Sequence, residues 1–430
     1  MSLTPTQRTL SEWLDYIESV HPSEIEMGLS RVRTVAERMG LMTAMAERTV
    51  ITIAGTNGKG SCVASLEALF AEHPQKPSFA AYTSPHFLHF NERIRLNGEP
   101  AQDEAISQAF AEIDSARDDI SLSYFEFATL AALKVFADAG SDYVILEVGL
   151  GGRLDAVNII DADIAIVTSI ALDHQDWLGS DLQQIGREKA GIFRGGRVAI
   201  SASPDVPSSV EEVARELGAK HWQANQHFDY QVNAGRVKMQ LNEREFEMTK
   251  PGLPVPSVVA AVLSVELLGM WPGDERVARA FDHIQLTGRC QRINWLGREL
   301  ILDVAHNPAA SEHLQTQLFE ESDKPPFLVL GAMADKDLPG ILKPWATCVK
   351  RAYACDLPNT PRAATAKLLY SELAEVGIPA AEAGTVRQAM EDLRESSQEG
   401  DRIIIMGSFF TVAAALSYLD DSSKSPDGNP

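Results

Sequence analysis

The sequence predicts an α/β protein of two domains. Three observations carry that prediction. Apolar, β-branched runs alternate with helical patterns, the alternation restarts near residue 288, and chemically active residues collect just after the predicted strands. At 430 residues the chain is too long for one ordinary core. The pattern divides it into a first domain over 1–287, a second over 288–420, and a polar, disordered tail over 421–430.

In the first domain, strands are expected at 49–54, 78–82, 143–148, 164–170 and 198–201, with helices at 61–71, 101–116, 125–139, 256–268 and 274–282. The stretch 228–248 alternates and holds polar breaks, which predicts a small antiparallel side sheet. In the second domain, strands at 292–295, 300–304, 327–330, 351–355 and 402–406 alternate with helices, giving a Rossmann-like α/β domain. Both main sheets read as parallel, with helices on both faces.

Residues 50–61 read VITIAGTNGKGS, a buried-strand pattern followed by a glycine-rich turn. Gly55, Gly58 and Gly60 let the backbone turn sharply and aim N–H groups at an anion, while the next helix adds its positive end. Thr56 and Asn57 complete the loop, Lys59 supplies a point charge for β/γ-phosphates, and Ser61 a hydroxyl for Mg²⁺. The first sheet is therefore expected to be of the P-loop NTPase type, with ATP as ligand. The spelling departs from the general phosphate-loop pattern: Ile53 stands where glycine is usual, and Gly60 intervenes before the hydroxyl residue. An ordinary strand-to-helix turn with incidental glycines is the competing interpretation.

Composition excludes several classes. A formal net charge of −22 leaves no basic face for nucleic acid, and anionic ligands would need local clusters of cations. No apolar run reaches bilayer length, and the first twenty residues lack a secretory leader pattern. Cys62, Cys290, Cys348 and Cys355 form no CxxC or CxxH spacing, so neither a disulfide framework nor a zinc site is expected. A cytoplasmic protein follows, without nucleic-acid or membrane partners.

Candidate chemistry lies at strand exits. VILEVGLGGRLDAVN (144–158) ends a strand in Glu147, followed by Arg153 and Asp155; a carboxylate beside a phosphate loop suits a hard cation. Asp173 and His174 leave the next strand, and Ser84 in YTSPHF could add a hydroxyl. Lys189 sits near a predicted helix end, where a lysine also simply complements the dipole. In the second domain, LILDVAHNP places Asp303, His306 and Asn307 after a strand, and Arg289 lies upstream. An Asp for ribose or metal and an Arg for phosphate suit a nucleotide.

The motif series GTNGKGS, TSPH, ILEVGLGGRLDA, TSIALDHQDWLG, REKAGIF, LDVAHNP and GSFxTV, in this order and spacing, resembles the Mur ligase superfamily of ATP-dependent amide-forming ligases. The EMGL loop and the SYFEF segment resemble its folate branch, and the resemblance runs from about Trp13 to Ala415. It implies Mg²⁺ ligands at Ser84, Glu147 and His174, and a CO₂-derived carbamate on Lys189 that ligates a second Mg²⁺. It also implies nucleotide contacts at Arg289, Asp303 and His306, and pterin contacts at Ile25, Met27, Phe125, Asp155 and Ala156. Two departures stand out. Ser257 occupies a position where the family often has an adenine-contacting asparagine, and Phe410 replaces the histidine of GSFHTV.

The implied reaction couples L-glutamate to dihydropteroate and adds glutamates to reduced folates through an acyl phosphate, in a monomer whose domains close to exclude water. Enzymes that only lengthen the folate tail and cell-wall ligases of the same superfamily remain alternatives. A plain P-loop kinase or GTPase would leave LDVAHNP unexplained, and a non-catalytic binding module would leave the metal-binding set unexplained.

Overall fold

The computed structural model describes residues 8–20, 27–282 and 284–424. The chain divides into two compact units, Met1–Ile284 and Gln285–Pro430.

The first unit opens with three helices that the sequence pattern did not single out, α1 (Leu10–Val20), α2 (Ser30–Arg38) and α3 (Leu41–Ala46). Then follow β1 (Thr49–Ala54), α4 (Lys59–Glu72), β2 (Phe79–Tyr82), β3 (Ile94–Leu96), β4 (Glu99–Pro100), α5 (Asp103–Arg117) and α6 (Tyr124–Ala139). β5 (Tyr143–Glu147), β6 (Ile164–Val167), α7 (Gln175–Leu178), α8 (Leu182–Ala190), β7 (Val198–Ser201), α9 (Ser208–Leu217) and β8 (Lys220–Gln223) complete the main sheet and its helices. Its order is β4-β3-β2-β5-β1-β6-β7-β8. The six strands from β2 to β8 in that order are parallel, but β3 runs antiparallel to β2 and to β4, so the sheet is mixed rather than purely parallel.

The side sheet is present as β9 (Asp229–Asn233), β10 (Arg236–Leu241) and β11 (Arg244–Thr249), all antiparallel. Val237, Met239 and Leu241 alternate inward along β10, the period that a half-buried strand requires. α10 (Val255–Leu267) and α11 (Asp274–Asp282) close the unit and pack on α4.

Alternation along the central strands separates two cores. Val50, Ala54, Val144, Leu146, Ala165 and Val167 cluster with Trp13, Val32, Met45, Phe110 and Phe127 from the helices of one face. Ile51, Ile53, Ile145 and Ile166, of the other parity, are buried outside that cluster, on the side where α4 packs against β1, β2 and β5.

The second unit contains β12 (Gln291–Trp295), β13 (Arg298–Leu302), α12 (Pro308–Glu321), β14 (Phe327–Leu330), α13 (Leu338–Leu342), β15 (Arg351–Asp356), α14 (Ala366–Glu375), β16 (Ala380–Thr385), α15 (Val386–Ser396), β17 (Arg402–Met406) and α16 (Phe409–Lys424). The order is β12-β13-β17-β14-β15-β16. β12 forms an antiparallel hairpin with β13, which corrects the all-parallel expectation; the remaining pairs are parallel. β16, AAEAGT, escaped the sequence reading because it is an edge strand without an apolar run. α16 continues to Lys424, so residues 421–424 are helical rather than disordered; 425–430 lie outside the described residues.

Helix α6 carries Phe125 and has a reciprocal N-terminal cap. The Ser123 hydroxyl accepts the Glu126 N–H at 3.3 Å, and the Glu126 carboxylate accepts the Ser123 N–H at 2.8 Å. Arg31 donates to both oxygens of that carboxylate at 3.2 Å, tying α2 to α6. Ser123→Ala should therefore cost about 1 kcal/mol of stability, measured as a shift of the denaturation curve; an unchanged curve would mean the cap contributes nothing.

Candidate active site

β1 lies between β5 and β6, with Ile53 beside Glu147 and Ala54 beside Val167. The chain leaves β1 toward β2 on one side, and β6 and β7 continue on the other. The GTNGKGS loop thus sits at the topological switch point where open α/β sheets place ligands.

The loop's shape is held from outside. Gly55 has φ 147°, and a Cβ there would stand 1.9 Å from the Thr168 hydroxyl oxygen. Gly58, at φ 86°, caps α4, and a Cβ there would stand 2.4 Å from the Ser257 hydroxyl oxygen. Gly60, expected to shape the turn, instead lies in the first turn of α4. Thr168 donates to the Asn57 carbonyl at 2.7 Å and Ser169 to the same oxygen at 3.0 Å. The Thr56 N–H donates to Ser169 O at 2.8 Å, and the Asn57 N–H to the Ser169 hydroxyl at 3.1 Å. These contacts explain why β6 ends at Val167, short of the expected 170: the next residues turn to grip the loop.

Two lysines meet at one carbonyl. Lys59 donates to Gly55 O at 3.1 Å and to Thr56 O at 3.4 Å, and Lys189 donates to Gly55 O at 3.0 Å. Lys189 is buried, and burial together with the Lys59 charge pushes its ammonium down to about 7, against the pull of Asp173 and Asp155. α8 is placed by the 149–153 loop. The Arg153 N–H donates to Glu188 O at 2.9 Å, its guanidinium pairs with the Glu188 carboxylate at 2.8 Å, and a Cβ on Gly152 would lie 2.9 Å from Lys189 O.

Ser61 lies in the first turn of α4, and the other expected metal ligands, Ser84, Glu147 and His174, stand after β2, at the end of β5 and after β6. The Ser61 hydroxyl is buried without a hydrogen-bond partner. Glu147 is buried at the end of β5, where it accepts the Ser84 N–H at 3.2 Å. His174 takes a left-handed φ of 50° at the start of α7, and its N–H donates to Asp173 at 2.9 Å. Among the described residues, no three His, Cys, Asp or Glu side chains form a metal-ligating group. A divalent ion here would take hydroxyl, carboxylate and phosphate oxygens, the hard donors that Mg²⁺ prefers, together with the His174 imidazole. The orphaned Ser61 hydroxyl fits such an ion.

Three of the residues expected at a pterin line one loop. A Cβ on Gly149 would lie 2.7 Å from the Phe125 ring and 3.4 Å from the Asp155 carboxylate, and one on Gly151 would lie 3.7 Å from the Met27 methyl. Phe125 also packs on Tyr82, with ring centroids 5.9 Å apart. Asp155 accepts the N–H groups of Gly149, Leu150 and Val157 at 2.9–3.1 Å, bracing the loop from within. Burial nevertheless pushes its carboxyl up to about 6. Ala156 is buried in the turn that Asp155 caps, and Ile25 lies outside the described residues.

In the second unit, Asp303 follows β13 and accepts the N–H groups of Cys290 at 2.7 Å and Ala305 at 2.8 Å. Burial raises its carboxyl, against the nearby Arg289 charge. The Arg289 guanidinium lies 5.1 Å from the Phe409 ring centroid. His306 donates through Nδ1 to Val304 O at 2.8 Å, which fixes its ring, and Asn307 caps α12. Phe410 is 54% exposed.

The sequence reading missed the buttress, Thr168 and Ser169. Its signal was present, since two adjacent hydroxyl residues leave the strand beside a glycine-rich loop. Ser257, noted only as a departure, is also part of it: its hydroxyl donates to Gly58 O at 2.9 Å.

Residues 53–270 match the Mur ligase middle domain, and residues 288–409 match the Mur ligase glutamate ligase domain. The Escherichia coli protein named dihydrofolate synthase/folylpolyglutamate synthase is 39% identical, covering 96% of each chain. The structure of E. coli FolC in complex with DHPP and ADP has a TM-score of 0.92 at 37% identity, covering 97% of this chain and 99% of that one. A Yersinia pestis bifunctional folylpolyglutamate synthase/dihydrofolate synthase complexed with AMPPNP and Mn ion has a TM-score of 0.88 at 39% identity, covering 98% and 100%.

Gly55→Ala should weaken AMPPNP binding by about tenfold or more, roughly 1.4 kcal/mol, because both its φ and its distance to Thr168 exclude a side chain. Calorimetric titration checks this; parent-like affinity would mean the loop tolerates a side chain and is not held as described.

Proposed function

Because the chain belongs to the Mur ligase family, within its branch of bifunctional dihydrofolate synthases/folylpolyglutamate synthases, we propose that it couples L-glutamate to dihydropteroate and extends reduced folates by further glutamates. It is an ATP-dependent ligase. The single observation that carries the reading is the meeting of Lys59 and Lys189 at Gly55 O, at the mouth of the switch point and beside a loop lined by Phe125, Met27 and Asp155.

In this reading the substrate carboxylate attacks the γ-phosphorus of ATP, ADP leaves, and an acyl phosphate forms. The glutamate amine then adds to the acyl carbon, loses a proton, and phosphate departs as the amide forms. Lys59 swings from the loop carbonyls to the β/γ-phosphates, and the N–H groups from Gly58 onward receive phosphate oxygens at the start of α4. Ser61, Ser84, Glu147 and His174, with the carbamate of Lys189 for the second ion, would hold two Mg²⁺, which would supply charge neutralisation on the phosphates. Lys189 holds a CO₂-derived carbamate, a conversion favoured by an amine that is substantially neutral near pH 7. Arg289, Asp303 and His306 bind the nucleotide, and Met27, Phe125, Asp155 and Ala156 bind the pterin. The protein acts as a cytoplasmic monomer.

Phosphate release from ATP with dihydropteroate, tetrahydrofolate or UDP-linked peptides, each with and without L-glutamate, tests the activity. Release is expected only with the first two and only in full with glutamate; release with the peptides alone overturns the folate reading. For Lys189, ¹³C-labelled bicarbonate should give a carbamate resonance that grows as pH rises through about 7 and is absent from Lys189→Ala, which should be nearly inactive. Full activity in that variant leaves the lysine a helix-end charge. Phe125→Ala should lower kcat/KM for dihydropteroate by about fivefold, about 1 kcal/mol of lost ring contact, and affect tail extension less. Equal losses in both reactions would remove Phe125 from a dedicated pterin site.

A further inference from the structure

Arg93 is a buried cation with no counter-ion among the described residues. It ends a short 3₁₀ turn (Phe90–Arg93) ahead of β3, and the residue is 8% exposed. Its Nε donates to His86 Nδ1 at 2.8 Å, and that nitrogen accepts only when it carries no proton. The guanidinium carbon lies 5.6 Å from the Phe90 ring centroid and 5.5 Å from that of Tyr124. No carboxylate among the described residues pairs with it, whereas the neighbouring Arg95 pairs with Glu67 at 2.6 Å. Its two terminal nitrogens have no acceptor among the described residues and are not sealed from solvent. Nearby, the buried Tyr82 hydroxyl also lacks a partner.

A guanidinium in such surroundings loses much of its hydration and gains only aromatic faces and one neutral acceptor in return. Its fork matches a carboxylate, which accepts two parallel N–H groups. The position suits substrate. Arg93 O accepts the N–H of Thr83 at 2.9 Å, one residue before Ser84, and Tyr124 precedes Phe125 on α6. In a chain of net charge −22, an anionic substrate needs such a local receptor. We infer that Arg93 binds a carboxylate of the substrate. The inference rests on the proposed ligase activity, and three substrates offer that chemistry: dihydropteroate through its single carboxylate, a reduced folate through its glutamate tail, and free L-glutamate.

Arg93→Gln and Arg93→Lys are to be compared with the full-length parent by phosphate release, varying each of the three substrates and ATP in turn. Arg93→Gln should raise KM for at least one carboxylate substrate by about tenfold or more, as expected for lost hydrogen bonds between charged groups, and leave KM for ATP unchanged. Arg93→Lys, which keeps the charge without the fork, should fall between. A rise for dihydropteroate assigns its own carboxylate, a rise for the folate alone assigns the tail, and a rise for L-glutamate alone assigns the incoming amino acid. Calorimetric titration of the same three compounds without ATP reads affinity apart from turnover, and applies even if the parent releases no phosphate, the result that counts against the proposed activity itself. If Arg93→Gln does not fold, Arg93→Lys carries the comparison. Parent-like KM and affinity for all three compounds overturn the inference and leave Arg93 a structural cation.

Discussion

The mouth of the first sheet depends on one close approach, the backbone of Gly55 against Thr168. A side chain at Gly55 would overlap the threonine hydroxyl at 1.9 Å, so the loop can follow this path only with glycine there. The path turns the Gly55 carbonyl toward two ammonium groups and lets Thr168 and Ser169 grip Asn57 from the neighbouring strand. α4 then starts at Lys59, immediately after the loop that leaves the central strand. Ser257 holds the loop from α10 by the same device, a hydroxyl donated to a backbone carbonyl. The loop is therefore shaped by strand and helix ends far away in sequence as much as by its own glycines.

Burial turns this geometry into chemistry. Lys189 and Asp155 are both sealed inside the unit, and for both the loss of water opposes the charged form: the lysine falls to about 7 and the aspartate rises to about 6. Their environments differ in kind. Asp155 accepts three backbone N–H groups, which keeps the carboxylate useful as a brace, while Lys189 faces a second lysine and one carbonyl. A buried amine with a pKa near 7 is neutral for much of the time at that pH, as the ordinary surface lysine is not. Against the molecule's acidic balance, Lys59 and Arg93 set the local field at short range.

Much of the fold was legible because the central strands are β-branched runs whose burial on both faces demands apolar residues throughout. β1, β7, β14 and β17 stand where the pattern places them. Elements at the margins were not. β16 has only alanine, glycine, glutamate and threonine, since an edge strand need not be apolar, and β8 carries a histidine and a tryptophan among polar residues. The antiparallel placements of β3 and β12 were also hidden. Strand direction is set by which neighbour a segment reaches, and the residues of a short strand do not record it.

The sequence by itself determined the two-unit α/β architecture, the glycine-rich loop after β1, and the family, because ordered motifs at fixed spacing leave few alternatives. It pointed to Lys59 from its glycine-rich turn and to Glu147 and His174 from their places at strand exits, while Lys189 was singled out by the family resemblance. Only the tertiary structure decided which of these groups meet. That Lys189 and Lys59 share Gly55 O, 134 residues apart for Lys189, follows from the packing of α8 against the 149–153 loop. That Arg93 lies buried with no carboxylate partner among the described residues follows from which side chains surround it. Such facts depend on distances between segments remote in the chain, and a linear pattern carries residue types and spacing but not those distances.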